Sequence, residues 1–128
     1  MAKEQPIILI VDDEPSLRRL LREILSEAGF QVITASDTTT ALDLLAVNQP
    51  DLIIADLMLP QAGGAVFIQQ VRSLRGFKET PIMVLSGFSA GLGPTAKAAG
   101  ATVILRKPDD ISNLAEVARQ LIDQSASQ

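Results

Sequence analysis

Five short runs rich in Ile, Val and Leu alternate along the chain with stretches of helical spacing, and this alternation constrains the fold most. The runs lie at 7–11, 30–35, 52–55, 82–85 and 102–105. They lack a regular alternation of apolar and polar residues, which is typical of strands buried on both faces. The sequence therefore predicts five buried strands separated by helices.

The stretches between the runs place their apolar residues on one helical face. Pro15 stands near the first position of the first helix, and Gly29 stands beyond its end. Further helices are predicted at 41–45, 67–74, 94–99 and 114–122. Because a right-handed crossover returns each strand parallel to the last, the pattern predicts an α/β fold with one five-stranded parallel sheet covered on both sides.

Composition narrows the function classes. The chain has 128 residues, 47% of them hydrophobic, which suits one domain over 1–128 with a core at about 7–122 and a polar tail at 123–128. The net charge is -4 and the basic residues are scattered, so no direct nucleic-acid partner is expected. No apolar run is long enough for a membrane span, and a cytoplasmic location is expected. The chain has no Cys and no His, which excludes a thiolate metal site and a phosphohistidine of its own.

Acidic residues directly follow the first apolar run, in the segment IILIVDDEP. Asp12 and Asp13 are therefore expected at the carboxyl end of the first strand, the edge where open α/β sheets carry their sites. Asp56 ends the third predicted strand, Ser86 the fourth and Lys107 the fifth. One edge of the sheet is thus expected to collect these polar side chains.

Three of the carboxylates would share one crevice if the strand order is 2-1-3-4-5, because the switch point then lies between strands one and three. Like charges held this close are unfavourable unless one is protonated or a cation sits among them, and a hard divalent ion takes oxygen ligands. The sequence therefore predicts a Mg²⁺ site formed by Asp12, Asp13 and Asp56.

Each of these residues also has an ordinary structural interpretation. The three acids before Pro15 could cap the first helix, Asp56 and Ser86 could be turn residues, and Lys107 could be a surface lysine. Together, however, they supply a metal-binding acid pair, a carboxylate nucleophile, a hydroxyl donor and a fixed cation. Phosphoryl transfer requires these parts, since it depends mainly on positioning and on neutralising charge.

The chain resembles the receiver domains of two-component response regulators, including chemotaxis-type regulators, over about 7–122. The resemblance is carried by four segments in this order: VDDEP, DLIIADLMLP, PIMVLSG and RKP. The resemblance implies a flavodoxin-like, doubly wound (βα)5 three-layer sandwich. It implies that Asp56 accepts a phosphoryl group from a histidine kinase or a histidine phosphotransfer protein, and that phosphorylation alters the surface that binds an unknown downstream protein. Such domains catalyse their own phosphorylation and slow dephosphorylation, so they are phosphoacceptors rather than conventional enzymes.

The same resemblance implies a role for each site residue. Asp13 and Asp56 would bind Mg²⁺ directly, the backbone carbonyl of Met58 would supply a third ligand, and Asp12 would act mainly through water. Lys107 would pair with the phosphoryl oxygens.

The resemblance extends to residues around these groups. The Ser86 hydroxyl would hydrogen-bond the phosphorylated form. Pro60 and Gly64 match the turn after the phosphoacceptor strand, and Pro108 matches a proline that the family holds in a cis peptide.

Some positions depart from the family pattern. Ile104 stands where receivers usually carry the Tyr or Phe that rotates inward on phosphorylation. Asp109 replaces a common apolar residue, and 91–94 replaces the usual polar start of the fourth helix. Gly63 stands where an acid is frequent. These departures bear on how the signal leaves the domain rather than on phosphorylation.

Three other functions fit parts of the pattern. A pseudo-receiver of the same fold would act as a protein-interaction module without phosphate. An aspartyl phosphohydrolase would need a second Asp where Met58 stands. A flavodoxin-like cofactor carrier would need a phosphate-binding loop and stacking aromatics, but the loop is acidic and the chain has no Trp or Tyr. The sequence leaves open whether the receiver acts alone, as a relay shuttle or as part of a longer protein.

Overall fold

Parallel strands alternate with helices in the computed structural model, which describes residues 5–56, 63–86, 100–106 and 113–126. The strands are β1 (Ile7–Val11), β2 (Gln31–Ala35), β3 (Leu52–Asp56), β4 (Ile82–Ser86) and β5 (Val103–Arg106). The helices are α1 (Pro15–Glu27), α2 (Thr38–Val47), α3 (Gly63–Ser73) and, here called α4, Leu114–Ala126. Every strand lies within one residue of its predicted bounds. The helix predicted at 94–99 lies outside the described residues.

The strands form one sheet in the order β2-β1-β3-β4-β5, and each neighbouring pair is parallel. This order confirms the predicted 2-1-3-4-5 arrangement. The first connection carries the chain from β1 outward to β2, and the next returns it across β1 to β3. The switch point therefore lies between the carboxyl ends of β1 and β3.

Alternate residues of the central strands pack into two separate cores, one on each face of the sheet. Ile8 and Ile10 of β1 pack on α1 and α4 with Leu21 and Leu114. Leu9 and Val11 point to the opposite face. There the core is completed by residues of α2, α3, β3 and β4 that include Ala41, Leu45, Ile53, Phe67, Ile68 and Val84. The result is the predicted three-layer sandwich, and burial on both faces explains why β1 is apolar throughout and β3 is apolar up to Asp56.

Local sequence signals set the helix ends. Pro15 is at the start of α1, where its missing N–H costs no helical hydrogen bond. Gly29 follows α1 with φ of 99°, a left-handed conformation that suits glycine. Asp37 precedes α2, and its carboxylate accepts a hydrogen bond of 2.7 Å from the Thr40 N–H.

The last helix continues to Ala126, so the first four residues of the predicted polar tail, 123–126, are helical. Ile122 is its last buried residue, which explains why the apolar spacing alone ended the prediction there. None of the helices in the described ranges has the length and apolar character that a membrane span requires.

Candidate functional site

The parallel register of β1 and β3 brings acidic residues from two strands to the same edge of the sheet. Val11 pairs with Ala55, and each of these residues is followed directly by an aspartate, Asp12 and Asp56. Both aspartates lie at the switch point between the strands. The pairing of β1 with β3 therefore brings these two carboxylates together, although Asp12 and Asp56 are far apart in the sequence.

Asp13 completes a cluster of three carboxylates. One carboxylate oxygen from each of Asp12, Asp13 and Asp56 lies within 4.8 Å of the others. Asp12 is 1% exposed and Asp56 is 8% exposed, whereas Asp13 faces solvent. Three carboxylates this close repel one another, and burial of two of them weakens screening by water.

Asp12 is held by hydrogen bonds to β2, to the following loop and to α1. Its N–H donates to the Ala35 carbonyl at 3.1 Å, and its Oδ1 accepts from the Glu14 N–H at 2.9 Å. Its backbone carbonyl accepts from the Arg18 guanidinium at 2.7 Å. These contacts to the backbone and to Arg18 fix the position of Asp12 beside the end of β3.

The simple capping interpretation of the acids does not describe this loop. Glu14 is the N-cap residue of α1, yet its side chain makes no capping hydrogen bond to the helix within the described residues. The Asp12 carboxylate binds the N–H of Glu14 itself, which closes the loop rather than the first helical turn.

The donor set suits a hard divalent cation. All three side chains offer carboxylate oxygen, which is the ligand type that Mg²⁺ and Ca²⁺ take in proteins. Across the part of the chain that the structure describes, these residues are the one group of three or more His, Cys, Asp or Glu side chains placed this closely. The residues present therefore fit the predicted Mg²⁺ site.

The structure describes only the backbone of one further predicted site residue, Ser86, and the others lie outside the described residues. Ser86 ends β4, and its backbone pairs with Arg106 at the same edge of the sheet. Lys107 is the next residue after β5, but Lys107 and the adjoining Lys107–Pro108 peptide lie outside the described residues, as do Met58, Pro60, Asp109 and 91–94. Their roles stay predictions.

The sequence interpretation missed Arg18, although it contacts the acidic loop directly. A signal for it was present. Arg18 is the fourth residue of α1, near the positive end of the helix dipole, where a cation is unfavourable without a partner. Arg18 also lines a shallow cleft of about 210 Å³ with Pro15, Arg19, Arg22 and Thr34.

Comparison with known proteins identifies the fold and the family together. Residues 8–119 match the response regulator receiver domain family. The structure superimposes on the chemotaxis response regulator CheY4 of Vibrio cholerae with a TM-score of 0.84 and 33% sequence identity, covering 91% of this chain and 98% of that one.

Curated relatives include both regulators and kinases. The response regulator MprA of a Mycobacterium species is 36% identical over 125 residues, which cover 93% of this chain and 51% of that protein. The sensor histidine kinase TmoS of Ectopseudomonas mendocina is 43% identical over 83 residues, which cover 65% of this chain and 8% of that protein. The chain thus spans about half the length of the first relative and less than a tenth of the second. The match of residues 8–119, together with the sheet order and the acidic cluster, shows that the chain belongs to the receiver domain family of two-component response regulators.

Proposed function

We propose that the chain is a single receiver domain over 1–128 that accepts a phosphoryl group on Asp56 from a phosphohistidine donor, in a reaction that depends on Mg²⁺. The observation that carries this proposal is the convergence of Asp12, Asp13 and Asp56 within 4.8 Å at the switch point of the sheet. The 43% identity to a segment of a sensor histidine kinase supports a histidine kinase or a histidine phosphotransfer protein as the donor.

The acids divide into two roles. Asp13 and Asp56 would hold Mg²⁺ directly, Asp12 would hold it through water, and the Met58 carbonyl would supply a further ligand. When bound, Mg²⁺ supplies positive charge beside the phosphoryl oxygens and relieves the repulsion among the carboxylates.

Asp56 is the nucleophile. One of its carboxylate oxygens attacks the phosphorus, a new P–O bond forms, and the P–N bond to the donor imidazole breaks. The electron pair of that bond stays on the imidazole nitrogen, which takes up a proton from water, and Asp56 becomes an acyl phosphate.

Lys107 and Ser86 complete the proposed site. Lys107 follows the last residue of β5 and would pair with the phosphoryl oxygens, while the Ser86 hydroxyl would donate a hydrogen bond to them. These contacts stabilise charge that the free domain does not carry. The phosphorylated domain then presents an altered surface to a downstream protein in the cytoplasm, with no direct role for nucleic acid or membrane.

The decisive experiment is incubation with acetyl phosphate and Mg²⁺, followed by intact-mass measurement. A gain of one phosphoryl group is expected in the wild type and in Asp43→Asn, which removes an exposed carboxylate from α2. The gain should be absent in Asp56→Asn and in wild type treated with a chelator. A wild type that gains no phosphoryl group from either acetyl phosphate or a phosphohistidine donor would favour the pseudo-receiver, an interaction module that works without phosphate.

A further inference from the structure

The side chain of Arg18 runs back from α1 to the backbone of the acidic loop. Its Nη1 donates a hydrogen bond of 2.7 Å to the carbonyl of Asp12, six residues earlier. Side chains on a helix lean toward its N-terminus, so an arginine one turn into α1 is placed to reach that loop. The contact joins the first helix to the peptide unit between Asp12 and Asp13.

The location of Arg18 is electrostatically unfavourable for the helix. The first turn of α1 contains no acid, and a cation there faces the positive end of the dipole. A charge-assisted hydrogen bond to the Asp12 carbonyl offsets that disadvantage. The partner of Arg18 is thus a backbone oxygen of the carboxylate loop.

The carbonyl of Asp12 belongs to the peptide that carries Asp13. Arg18 fixes this carbonyl, and the hydrogen bond from the Asp12 N–H to Ala35 fixes the preceding peptide, so the backbone of Asp12 has little freedom to rotate on either side. The direction in which Asp13 leaves the loop depends on that rotation. Asp13 is exposed, so packing contributes less to its position than it does for Asp12 and Asp56.

We infer that Arg18 is a positioning residue for the carboxylate cluster: by holding the Asp12 carbonyl, it orients Asp13 for cation binding. This inference rests on the proposed function for its role in phosphoryl transfer. The groups that hold metal ligands in place typically change metal affinity by about 10- to 100-fold when they are removed.

The positive charge of Arg18, considered alone, predicts the opposite effect of its removal on Mg²⁺ affinity. Arg18 is a cation beside a cation site, so its removal would strengthen Mg²⁺ binding if long-range repulsion dominated. A loss of Mg²⁺ affinity on removing a positive charge can therefore be attributed to positioning. Arg22 gives the matched control, because it lies one turn further along the same face and lines the same cleft.

The test compares Arg18→Met with Arg22→Met by Mg²⁺ titration, followed through amide chemical shifts. Arg18→Met should bind Mg²⁺ about tenfold more weakly than Arg22→Met, at the lower end of the effect seen for such supporting groups. The Glu14 amide donates a hydrogen bond to Asp12 Oδ1. In metal-free protein, its hydrogen exchange should be faster in Arg18→Met than in wild type, and in Arg22→Met the exchange rate should equal that of wild type. Arg18→Lys keeps the positive charge but has one compact donor group, so its Mg²⁺ affinity should lie between those of wild type and Arg18→Met.

The outcomes separate the two proposals. Equal Mg²⁺ affinity in Arg18→Met and Arg22→Met, or tighter binding in Arg18→Met, would overturn the positioning role whether or not Asp56 is phosphorylated. Absence of phosphorylation in the wild type would overturn the proposed function. The positioning role of Arg18 would still be decided by the Mg²⁺ affinities of Arg18→Met and Arg22→Met. If Arg18→Met does not fold, the same comparison between Arg18→Lys and Arg22→Lys decides the inference.

Discussion

Asp12 follows the last residue of β1 and Asp56 is the last residue of β3, and the two lie side by side because Val11 of β1 is in register with Ala55 of β3. A shift of one residue in this register would turn one of the two side chains to the opposite face of the sheet. The register is specified by strands whose residues are buried on both sides. The packing of the core therefore determines the separation of the two carboxylates.

Asp13→Asn should raise the free energy of unfolding in metal-free buffer. It removes one of three negative charges that lie within 4.8 Å of each other, and a pair at about that distance in a water-like dielectric is worth roughly 1 kcal/mol. The same substitution should abolish most of the stabilisation that added Mg²⁺ gives to the wild type. Urea unfolding followed by circular dichroism, with and without Mg²⁺, measures both effects.

Asp43→Asn is the control for this prediction, since it removes an exposed carboxylate from α2 away from the cluster. Its response to Mg²⁺ should match that of the wild type. If Asp13→Asn gained as much stability from Mg²⁺ as the wild type does, the metal assignment at this loop would be wrong.

Arg72→Met should destabilise the fold by about 2 kcal/mol, because it leaves backbone carbonyls without their charged donor. Arg72 donates through Nε and Nη2 to Gly100 at 3.1 and 2.8 Å, and through Nη1 to Phe77 at 2.9 Å and Thr80 at 2.6 Å. It thereby ties the end of α3 to the segments before β4 and β5. Chemical denaturation of Arg72→Met beside Arg75→Met, which removes an exposed arginine, provides the measurement. Equal stability of the two variants would contradict the prediction.

Gly100→Ala should destabilise the protein more than Gly29→Ala does. Both glycines have positive φ, 118° and 99°, so an added Cβ costs about 1 kcal/mol at either position. At Gly100 the new Cβ would also lie 3.0 Å from Cγ and Nε of Arg72, whereas at Gly29 its nearest neighbour is an Arg119 nitrogen at 3.8 Å. The crowding at Gly100 should add about 1 kcal/mol or more.

A double-mutant cycle checks that this extra cost at Gly100 comes from Arg72. In an Arg72→Ala background the crowded atoms are gone, and Gly100→Ala should then cost about as much as Gly29→Ala. An unchanged cost in that background would assign the whole effect to backbone strain.

Asp37 should make the stability depend on pH under acid conditions. The Thr40 N–H, and then its hydroxyl, lower the pKa of the Asp37 carboxyl below its ordinary value of 3.8, and partial desolvation opposes them. A folded-state pKa below the unfolded value contributes stability that is present above the unfolded pKa and is lost as pH falls through the folded pKa. The stability difference between wild type and Asp37→Asn should therefore be largest near neutral pH and should shrink below about pH 4.

Unfolding measurements at several pH values test the Asp37 prediction. Thr40→Ala keeps the backbone donor and removes the hydroxyl, so it should reduce the pH dependence without abolishing it. A gap between wild type and Asp37→Asn that stayed constant from neutral to acid pH would refute the role of the carboxylate charge.

The sequence was sufficient to predict the strands and the meeting of Asp12 with Asp56, because both follow from backbone rules. A strand buried on two faces is apolar, as Ile7–Val11 and the residues 52–55 are, and parallel strands align their carboxyl ends. The contacts of Arg18 and Arg72 could not be predicted in this way. Both side chains are long and flexible, and their partners are backbone carbonyls. The sequence marks Arg18 only as a cation at the unfavourable end of a helix, and it does not identify the carbonyl that Arg18 binds.

Ile104 leads to a prediction about how phosphorylation changes the domain. Its side chain is half-buried on β5, beside Val84, and packs against the core shared with α2 and α3. Receivers with an aromatic side chain at this position are expected to rotate it when they are phosphorylated. Ile104 is β-branched and has no polar group, so it can change rotamer but cannot bury or expose a hydroxyl.

Phosphorylation should therefore alter amide exchange in the segments 58–64 and 86–94 more than around Ile104 and α4. An added phosphoryl group brings roughly -1.5 to -2 charges to Asp56, which ends β3, and Ser86, which is proposed to hydrogen-bond that group, ends β4, so both segments begin beside the new charge. Amide exchange with and without the mimic beryllofluoride measures the response, and Asp56→Asn treated in the same way controls for nonspecific effects. Strong changes around Ile104 and α4, with 86–94 unchanged, would show that this domain transmits its signal through the fifth strand in spite of the missing aromatic ring.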